Sequence, residues 1–276
     1  MSTGNILVLG ALAGATIFLG LPIARVRNPS TGLKAFLTSM ATGILVFLFY
    51  DVVSNGVEPI EDAIRAHSYG DVSTYGVLLF GGFAVGFMGL IGYERWMHGY
   101  RRRSVLGPGA ASAVEFEQAY PFGLTPPRFL AVLIATGIGL HNFAEGLAIG
   151  QSAAAGKLAL AIALIVGFGL HNATEGFGIV APLTGERQVP SWRFLLVLGL
   201  IGGGPTFVGT VVGQAWVSTA VSVLFLGLAA GSILYVVMQL LTICRTFGHA
   251  SLAAWGITVG LVLGFATDFI LVGLGV

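Results

Sequence analysis

The chain has 276 residues, of which 55% are hydrophobic and 9% are charged. A soluble domain carries about 25% charged residues, so the composition excludes an ordinary soluble fold and indicates a protein that crosses a membrane several times. The net charge of +1 by itself says nothing about nucleic-acid or acidic partners, and no nucleic-acid partner is expected. The single cysteine, Cys244, excludes an intramolecular disulfide and a cysteine-rich metal site.

Eight apolar segments are each long enough to cross a bilayer, since a spanning helix needs about 20 mostly apolar residues. In chain order they are 5–24, 33–54, 72–93, 128–150, 157–181, 191–213, 217–244 and 250–275. The first lacks a positively charged leader and is read as a span rather than a signal peptide. A polar segment, 94–127, separates the third span from the fourth. The sequence therefore predicts an all-α polytopic membrane protein with eight transmembrane helices.

The positions of Lys and Arg orient these helices, because cytoplasmic loops carry an excess of positive charge. If the N-terminus lies outside, the inner loops and helix ends hold all but two of these residues. They are Arg25, Arg27, Lys34, Arg95, Arg101, Arg102, Arg103, Arg128, Arg187, Arg193 and Arg245. Only Arg65 and Lys157 then fall outside. We therefore predict that both termini are extracytoplasmic.

Glycines four residues apart place small residues on one face of several predicted helices. The pairs and the triplet are Gly10/Gly14, Gly82/Gly86, Gly227/Gly231 and Gly256/Gly260/Gly264. Small residues at this spacing let membrane helices approach closely. We interpret them as helix-packing positions.

Two apolar segments repeat one polar motif, GIGLHNFAEG at 137–146 and GFGLHNATEG at 167–176. An ionised carboxylate at the bilayer centre costs about 2.5–3.5 kcal/mol, so Glu145 and Glu175 together cost about 5 kcal/mol unless a cation compensates them. No Lys or Arg lies in the middle of any predicted span. The compensating charge therefore comes from outside the chain, as protons or a metal ion.

Residues four apart share a helix face, so each motif projects its His and its Glu together. Two antiparallel helices can turn these faces toward each other. The candidate residues are then His141, Asn142, Glu145, His171, Asn172 and Glu175. Imidazole with carboxylate suits Zn²⁺, Fe²⁺, Mn²⁺, Co²⁺ or Ni²⁺. A proton relay is the alternative, but it explains the paired asparagines poorly.

HNFAEG followed by HNATEG, on the fourth and fifth of eight helices, resembles the motifs of the ZIP (Zrt/Irt-like) family of divalent metal transporters. The stretches IGGGPTFVGTVVG at 201–213 and AAGSILYVVMQLL at 229–241 resemble the family's sixth-helix and seventh-helix signatures. The resemblance implies two three-helix repeats around a central helix pair. It also implies a pathway lined by the second, fourth, fifth and seventh helices, and a homodimer.

The resemblance also implies a ligand set. One metal site consists of His141, Glu145, His171 and Glu175, and an adjacent site adds Asn142 and Asn172 to the same two glutamates. The further pathway or entrance positions are Asp51, Asp268 and Gln239, with a structural hydrogen-bonding role as the alternative for the two aspartates.

This chain departs from the family pattern at four positions. Ala144 and Thr174 stand where many members have proline, which predicts a less kinked pathway. Gly204 and Gln239 stand where many members have glutamate. The loss of both acids predicts one strong metal site and a weaker second site.

The predicted function is transport of a divalent transition-metal ion into the cytoplasm by alternating access, with zinc first and Fe, Mn, Co or Cd also possible. The metal is cargo, and no prosthetic group is expected. A proton-coupled carrier of another solute and an intramembrane metalloenzyme are the alternatives. The metalloenzyme lacks support because a zinc protease needs HExxH, whereas Asn142 and Asn172 follow the two histidines; no catalytic residue is predicted.

We expect a single transmembrane domain, 1–276, in the plasma membrane. Its parts are a first repeat at 1–93, a cytoplasmic loop at 94–127, a metal-binding helix pair at 128–183 and a second repeat at 190–276. The expected partners are the metal ion, the lipid bilayer and a second copy of the chain.

Overall fold

The structure is a computed structural model that describes residues 3–26, 30–105, 124–156, 158–186, 188–216 and 218–273. These residues form eight α-helices and no strand. The helices are α1 (Thr3–Ala15), α2 (Thr31–Arg65), α3 (Tyr69–Val105), α4 (Pro126–Ala154), α5 (Leu158–Val180), α6 (Trp192–Ala215), α7 (Thr219–Thr246) and α8 (Ala250–Gly273). Short 3₁₀ turns extend α1 through Thr16–Leu19 and Leu21–Arg25, and another, Ala181–Gly185, follows α5.

Each predicted span lies on one of these helices, so the prediction of an all-α polytopic fold is confirmed. Seven helical segments of the described residues are long and apolar enough to cross a membrane. They are Thr3–Arg25, Thr31–Arg65, Tyr69–Trp96, Pro126–Ala154, Trp192–Ala215, Thr219–Thr246 and Ala250–Phe269. The predicted fifth span corresponds to α5, a helix of 23 residues.

Two helices continue past the apolar segments that predicted them. The predicted loop 94–127 begins inside α3, which runs to Val105, and residues 106–123 lie outside the described part. The predicted span 33–54 ends well before α2 does, at Arg65. The guanidinium of Arg65 lies 3.1 Å from carboxylate oxygens of both Glu61 and Asp62. Such polar residues form helix readily once the chain has left the hydrocarbon.

Hydroxyl side chains fix where four helices begin. Each accepts a hydrogen bond from the backbone N–H three residues later, which satisfies a donor that has no partner within the helix. The caps are Ser30 for α2, Thr125 for α4, Ser191 for α6 and Ser218 for α7.

Glycines set the close approach of neighbouring helices, as the four-residue spacing predicted. A Cβ atom at Gly14 would collide with the carbonyl oxygen of Gly203, where α1 crosses α6. The other predicted pairs contact α7 from α3, α3 from α7 and α2 from α8 in the same way. The interpretation of these glycines as packing positions is confirmed.

The helices pack as two groups of four, which we call the site group (α1, α4, α5 and α6) and the flanking group (α2, α3, α7 and α8). Within the site group α4 packs most extensively on α6, and within the flanking group α3 packs on α7 and α2 on α8. The groups meet mainly where α4 contacts α7 and α5 contacts α2. The division of the chain into two three-helix repeats stays a prediction.

The bundle has two ends. We call the end at which α2, α4, α6 and α8 finish the mouth end, and the end at which α1, α3, α5 and α7 finish the base end.

Candidate metal centre

The two repeated motifs lie near the middle of α4 and α5, which are adjacent antiparallel helices of the site group. Five of their described polar side chains are almost completely buried. The exposed fractions are 1% for His141, 0% for Asn142, 4% for Glu145, 0% for Asn172 and 1% for Glu175. Polar groups this deep are stable only when other groups hydrogen-bond or neutralise them.

Three of the predicted ligands converge across the α4–α5 interface. His141 Nε2 lies 2.9 Å from Oε1 of Glu145, one turn along the same helix, and 3.7 Å from Oε1 of Glu175 on α5. The imidazole therefore stands between two carboxylates from two helices, as the helix-face argument predicted.

The fourth predicted ligand, His171, lies on α5, but its side chain is outside the described residues. Among the side chains that are described, no three His, Cys, Asp or Glu groups form a preformed metal shell. In this arrangement the Nε2 atom of His141 is engaged by Glu145 instead. The four-ligand set stays a prediction.

The two motif asparagines anchor α4 and α5 to other helices of the site group. The side-chain amide of Asn142 donates to the carbonyl of Gly202 on α6 at 2.9 Å. The amide of Asn172, whose exposed fraction is 0%, donates to the carbonyl of Ala13 on α1 at 3.2 Å. Because an amide that donates to a carbonyl has its oxygen turned away from that carbonyl, each bond also orients an Oδ1 atom.

Both Oδ1 atoms are buried and lack a hydrogen-bond partner in the described part of the chain, and so does the hydroxyl of Thr206 on α6. Buried polar atoms without partners are uncommon in proteins, and neutral oxygens of this kind are suitable ligands for a divalent cation. Sequence reasoning missed Thr206. Its only signal was a hydroxyl inside the glycine-rich sixth-helix stretch.

A cavity of about 440 Å³ leads from the mouth end to His141 and Glu145. It lies between the groups, with walls from α2, α7 and α8 on one side and from α4 and α5 on the other. The wall near the site is largely apolar, from Phe47, Leu48, Val52, Leu147, Phe168, Val223 and Leu226. The described lining residues include no Lys and no Arg.

The predicted entrance residues fall in different places. Asp51 on α2 and Asp268 on α8 both line the cavity, together with the polar residues Asn55 and Gln151. Gln239 lies at the α3–α7 interface, where its side-chain amide donates to Glu94 at 3.2 Å.

The structure describes the surroundings of two positions that depart from the family pattern, Ala144 and Gly204. α4 is continuous through Ala144, without a break at the motif. At Gly204, a Cβ atom would meet no described atom within 4 Å. The position therefore has room for a side chain.

These features define a class: a multi-spanning, all-α membrane protein with a buried histidine, carboxylate and amide cluster at the bottom of a cavity. Among curated proteins, the chain is similar to the zinc transporter ZupT of Escherichia fergusonii, with 28% identity over 143 residues. It is 29% identical over 143 residues to the zinc transporter ZupT of Escherichia coli O127:H6. The similarity supports the resemblance to the ZIP family.

Both matches cover 51% of this chain and 48% of the relative, so the chain spans about half the length of the curated relatives it matches. No family model matches the chain.

Proposed function

We propose that the protein is a ZIP-family transporter that carries divalent transition-metal ions, zinc first, across the membrane. One observation carries the proposal: His141 lies 2.9 and 3.7 Å from glutamates of two different helices, at the end of a cavity whose described lining contains no Lys or Arg. A cation of the right size compensates two carboxylates that the bilayer would otherwise exclude. The names of the relatives agree with this choice of cargo, and transport rather than catalysis is the activity they indicate.

The donor atoms favour first-row transition metals and cadmium. In this proposal His141 and His171 supply nitrogen, and Glu145 and Glu175 supply carboxylate oxygen, a set that suits Zn²⁺, Fe²⁺, Mn²⁺ and Co²⁺. The amide oxygens of Asn142 and Asn172 add neutral donors for the weaker second site. The amide N–H groups stay on Gly202 and Ala13 while the oxygens bind.

The ion enters through the cavity from the mouth end. Asp51 and Asp268 line that route and raise the local concentration of cations. The ion exchanges water for protein ligands near the middle of the bundle, where transporters that work by alternating access place their binding sites. Leu147 and Phe168 belong to the apolar wall near the site.

Release at the base end requires a movement, which we assign to the two helix groups. The cavity runs along their boundary, and the ligand-bearing helices α4 and α5 both belong to the site group. Displacement of the site group as a body would close the mouth end and open the base end. In this proposal the mouth end faces outside the cell, as the Lys and Arg distribution favours, and transport runs into the cytoplasm across the plasma membrane. A homodimer, implied by the family resemblance, belongs to the same proposal.

Uptake of metal into proteoliposomes tests the function. The wild-type protein is compared with Glu145→Gln, Glu175→Gln and His171→Ala, using Zn²⁺, Fe²⁺, Mn²⁺ and Cd²⁺ in parallel. The glutamine variants keep side-chain size and remove charge. The matched control is Glu61→Gln on the projecting part of α2, whose side chain is 55% exposed and pairs only with Arg65 among the ion pairs described.

We expect zinc uptake in the wild type and in Glu61→Gln, and uptake reduced by at least tenfold in the three site variants. Size-exclusion profiles and thermal unfolding in detergent show whether each variant is folded. Uptake that survives in both folded glutamine variants, or that is absent from the folded wild type, would remove the metal-transport proposal. Proton-coupled uptake of an organic solute would then be the function to test.

A further inference from the structure

Gln151 lies in the last turn of α4, at the mouth end, and Ser222 lies in the first turn of α7. Both line the cavity. Gln151 is ten residues beyond His141 on the same helix, so it lies about 15 Å along the axis from the candidate metal centre. At this distance Gln151 is too far from the centre to be one of its ligands.

Both ends of the Gln151 side chain are used. Its Oε1 atom accepts a hydrogen bond of 2.5 Å from the hydroxyl of Ser222. Its Nε2 atom donates to the carbonyl of Trp216, the residue that follows α6, at 3.3 Å. The hydroxyl of Ser222 also lies 3.2 Å from the carbonyl of Ser218, and its single proton serves the shorter contact with Gln151.

The Gln151–Ser222 bond crosses the boundary between the two groups, because α4 belongs to the site group and α7 to the flanking group. Several side-chain hydrogen bonds between other described helices stay within one group. Thr31 bonds His249 between α2 and α8, and Glu94 bonds Tyr235 between α3 and α7. The asparagine bonds likewise stay within the site group.

The second bond of Gln151 adds to this arrangement. Trp216 begins the connection from α6 to α7, which is one of the places where the chain passes from the site group to the flanking group. One side chain on α4 therefore holds both the connection and the first turn of α7. A relative displacement of the groups at the mouth end must break the bond to Ser222.

We propose that Gln151 and Ser222 form a clasp that stabilises the mouth-open arrangement of the transporter and opens when the site group moves. The inference rests on the proposed function, since it assumes that the two groups move. Gln151 is a positioning residue here: it binds no metal and acts on the equilibrium between the two arrangements.

The test measures that equilibrium directly, in the full chain and without metal. Spin labels are placed on Ala154→Cys of α4 and Val272→Cys of α8, in a Cys244→Ser background that removes the single native cysteine. Double electron–electron resonance in nanodiscs then gives the populations of the mouth-open and mouth-closed distances. The clasp variants are Gln151→Ala, Ser222→Ala and the double variant, with Gln151→Asn as a shorter amide that does not reach α7.

Loss of one hydrogen bond of ordinary strength changes an equilibrium constant by about fivefold. We expect each clasp variant to shift the population ratio toward the mouth-closed distance by about this factor. The double variant should shift it no further than Gln151→Ala, because the bond that Ser222→Ala removes is already absent from Gln151→Ala. Ser152→Ala is the control: Ser152 also lines the cavity, next to Gln151, and should leave the ratio unchanged.

Distance distributions that do not differ between the wild type and all four clasp variants would overturn the clasp. A shift of equal size in Ser152→Ala would overturn it as well. The readout needs no metal, so the two proposals fail separately: a normal clasp response with no metal uptake would remove the function and leave the clasp, and unshifted distances with normal uptake would do the reverse.

Discussion

Asn142 and Asn172 occupy matching positions, each three residues before a motif glutamate, and each donates its side-chain amide to a carbonyl of another helix of the site group. Their acceptors, Gly202 on α6 and Ala13 on α1, are each adjacent to one of the two glycines at the α1–α6 crossing. Helices α4 and α5 are therefore both fastened to the same crossing. The repeated HNxxEG motif therefore anchors helices in addition to supplying candidate metal ligands.

Removal of either amide should destabilise the fold. Asn142→Ala leaves the carbonyl of Gly202 without its side-chain donor, and Asn172→Ala does the same to Ala13. We expect a loss of about 1–3 kcal/mol in each case. Asn142→Asp should be worse than Asn142→Ala, since a carboxylate oxygen would then face a carbonyl oxygen. Thermal unfolding in detergent measures the loss, and Asn55→Ala is the control.

Among the described residues Asn55 bonds only to Asp51, within its own helix, and this contact is exposed. Its substitution should change stability by no more than about 0.5 kcal/mol. Equal losses at Asn55 and at the two motif asparagines would contradict the anchoring role.

Gly146 and Gly204 form a second matched pair. A Cβ atom at Gly146 would collide with the backbone carbonyl of Thr206, whereas at Gly204 it would meet open space. Gly146→Ala must push α4 away from α6 and should cost about 1–3 kcal/mol. Gly204→Ala should be neutral, or stabilising by up to about 1 kcal/mol through helix propensity. The folded yield and the unfolding temperature of the two variants, measured side by side, test this difference in stability.

Arg128 and Glu186 join the start of α4 to the segment that follows α5. Arg128 Nε lies 3.0 Å from Glu186 Oε2, with side-chain exposures of 24% and 8%, and Thr125 also bonds to Glu186. We expect Glu186→Ala to cost about 1–3 kcal/mol, because the carboxylate accepts from two partners. A double-mutant cycle with Arg128→Ala isolates the pair.

The Arg65–Glu61 pair, with 71% and 55% exposed side chains, is the surface comparison for that cycle. Exposed ion pairs typically contribute about 0–1 kcal/mol. A coupling energy for Arg128 and Glu186 no greater than that of the surface pair would show that this ion pair contributes little to stability.

Zinc should stabilise the folded protein if the candidate centre binds it. A free metal concentration of 100 times the dissociation constant contributes about 2.7 kcal/mol, which raises the unfolding temperature. The effect should be absent in Glu175→Gln and retained in Glu61→Gln. A rise of the same size in Glu175→Gln would place zinc elsewhere on the chain.

Cys244 should react slowly with thiol reagents in the folded protein. It is 5% exposed and hydrogen-bonded to Thr42 between α7 and α2. Maleimide labelling in mild detergent should therefore be at least tenfold slower than in SDS. Equal rates in both detergents would show that the contact between α2 and α7 is loose.

The sequence predicted the helices and the facing motifs because both follow from short-range rules. Apolar length identifies a span, and a spacing of four residues places His141 and Glu145 on one face. The 2.9 Å contact between them is a direct consequence of that spacing. The polar extensions of the helices beyond their apolar spans were harder to predict. Helix α2 continues to Arg65 and α3 to Val105, because helix propensity rather than hydrophobicity determines those ends.

The division into two helix groups could not be predicted from apolar length. It depends on which glycine faces which helix, and glycine spacing gives a face but no partner. Gln239 illustrates the same difficulty. Its place in the seventh-helix stretch suggested the pathway, and that spacing gave no sign of the contact that its side chain makes with Glu94 on α3. The acceptors of Asn142 and Asn172 could not be predicted either. Every residue has a backbone carbonyl, so the sequence does not indicate which one accepts the bond.

The order of the helices along the chain has a mechanical consequence. The chain crosses between the two groups through residues 26–30, 106–125 and 216–218. The last of these is short, and four residue steps from Ala215 to Thr219 extend at most about 14 Å. Any displacement of the groups can therefore separate the end of α6 from the start of α7, at the mouth end, by no more than about 14 Å. The other two connections, at the base end, contain more residues and so permit a larger separation there.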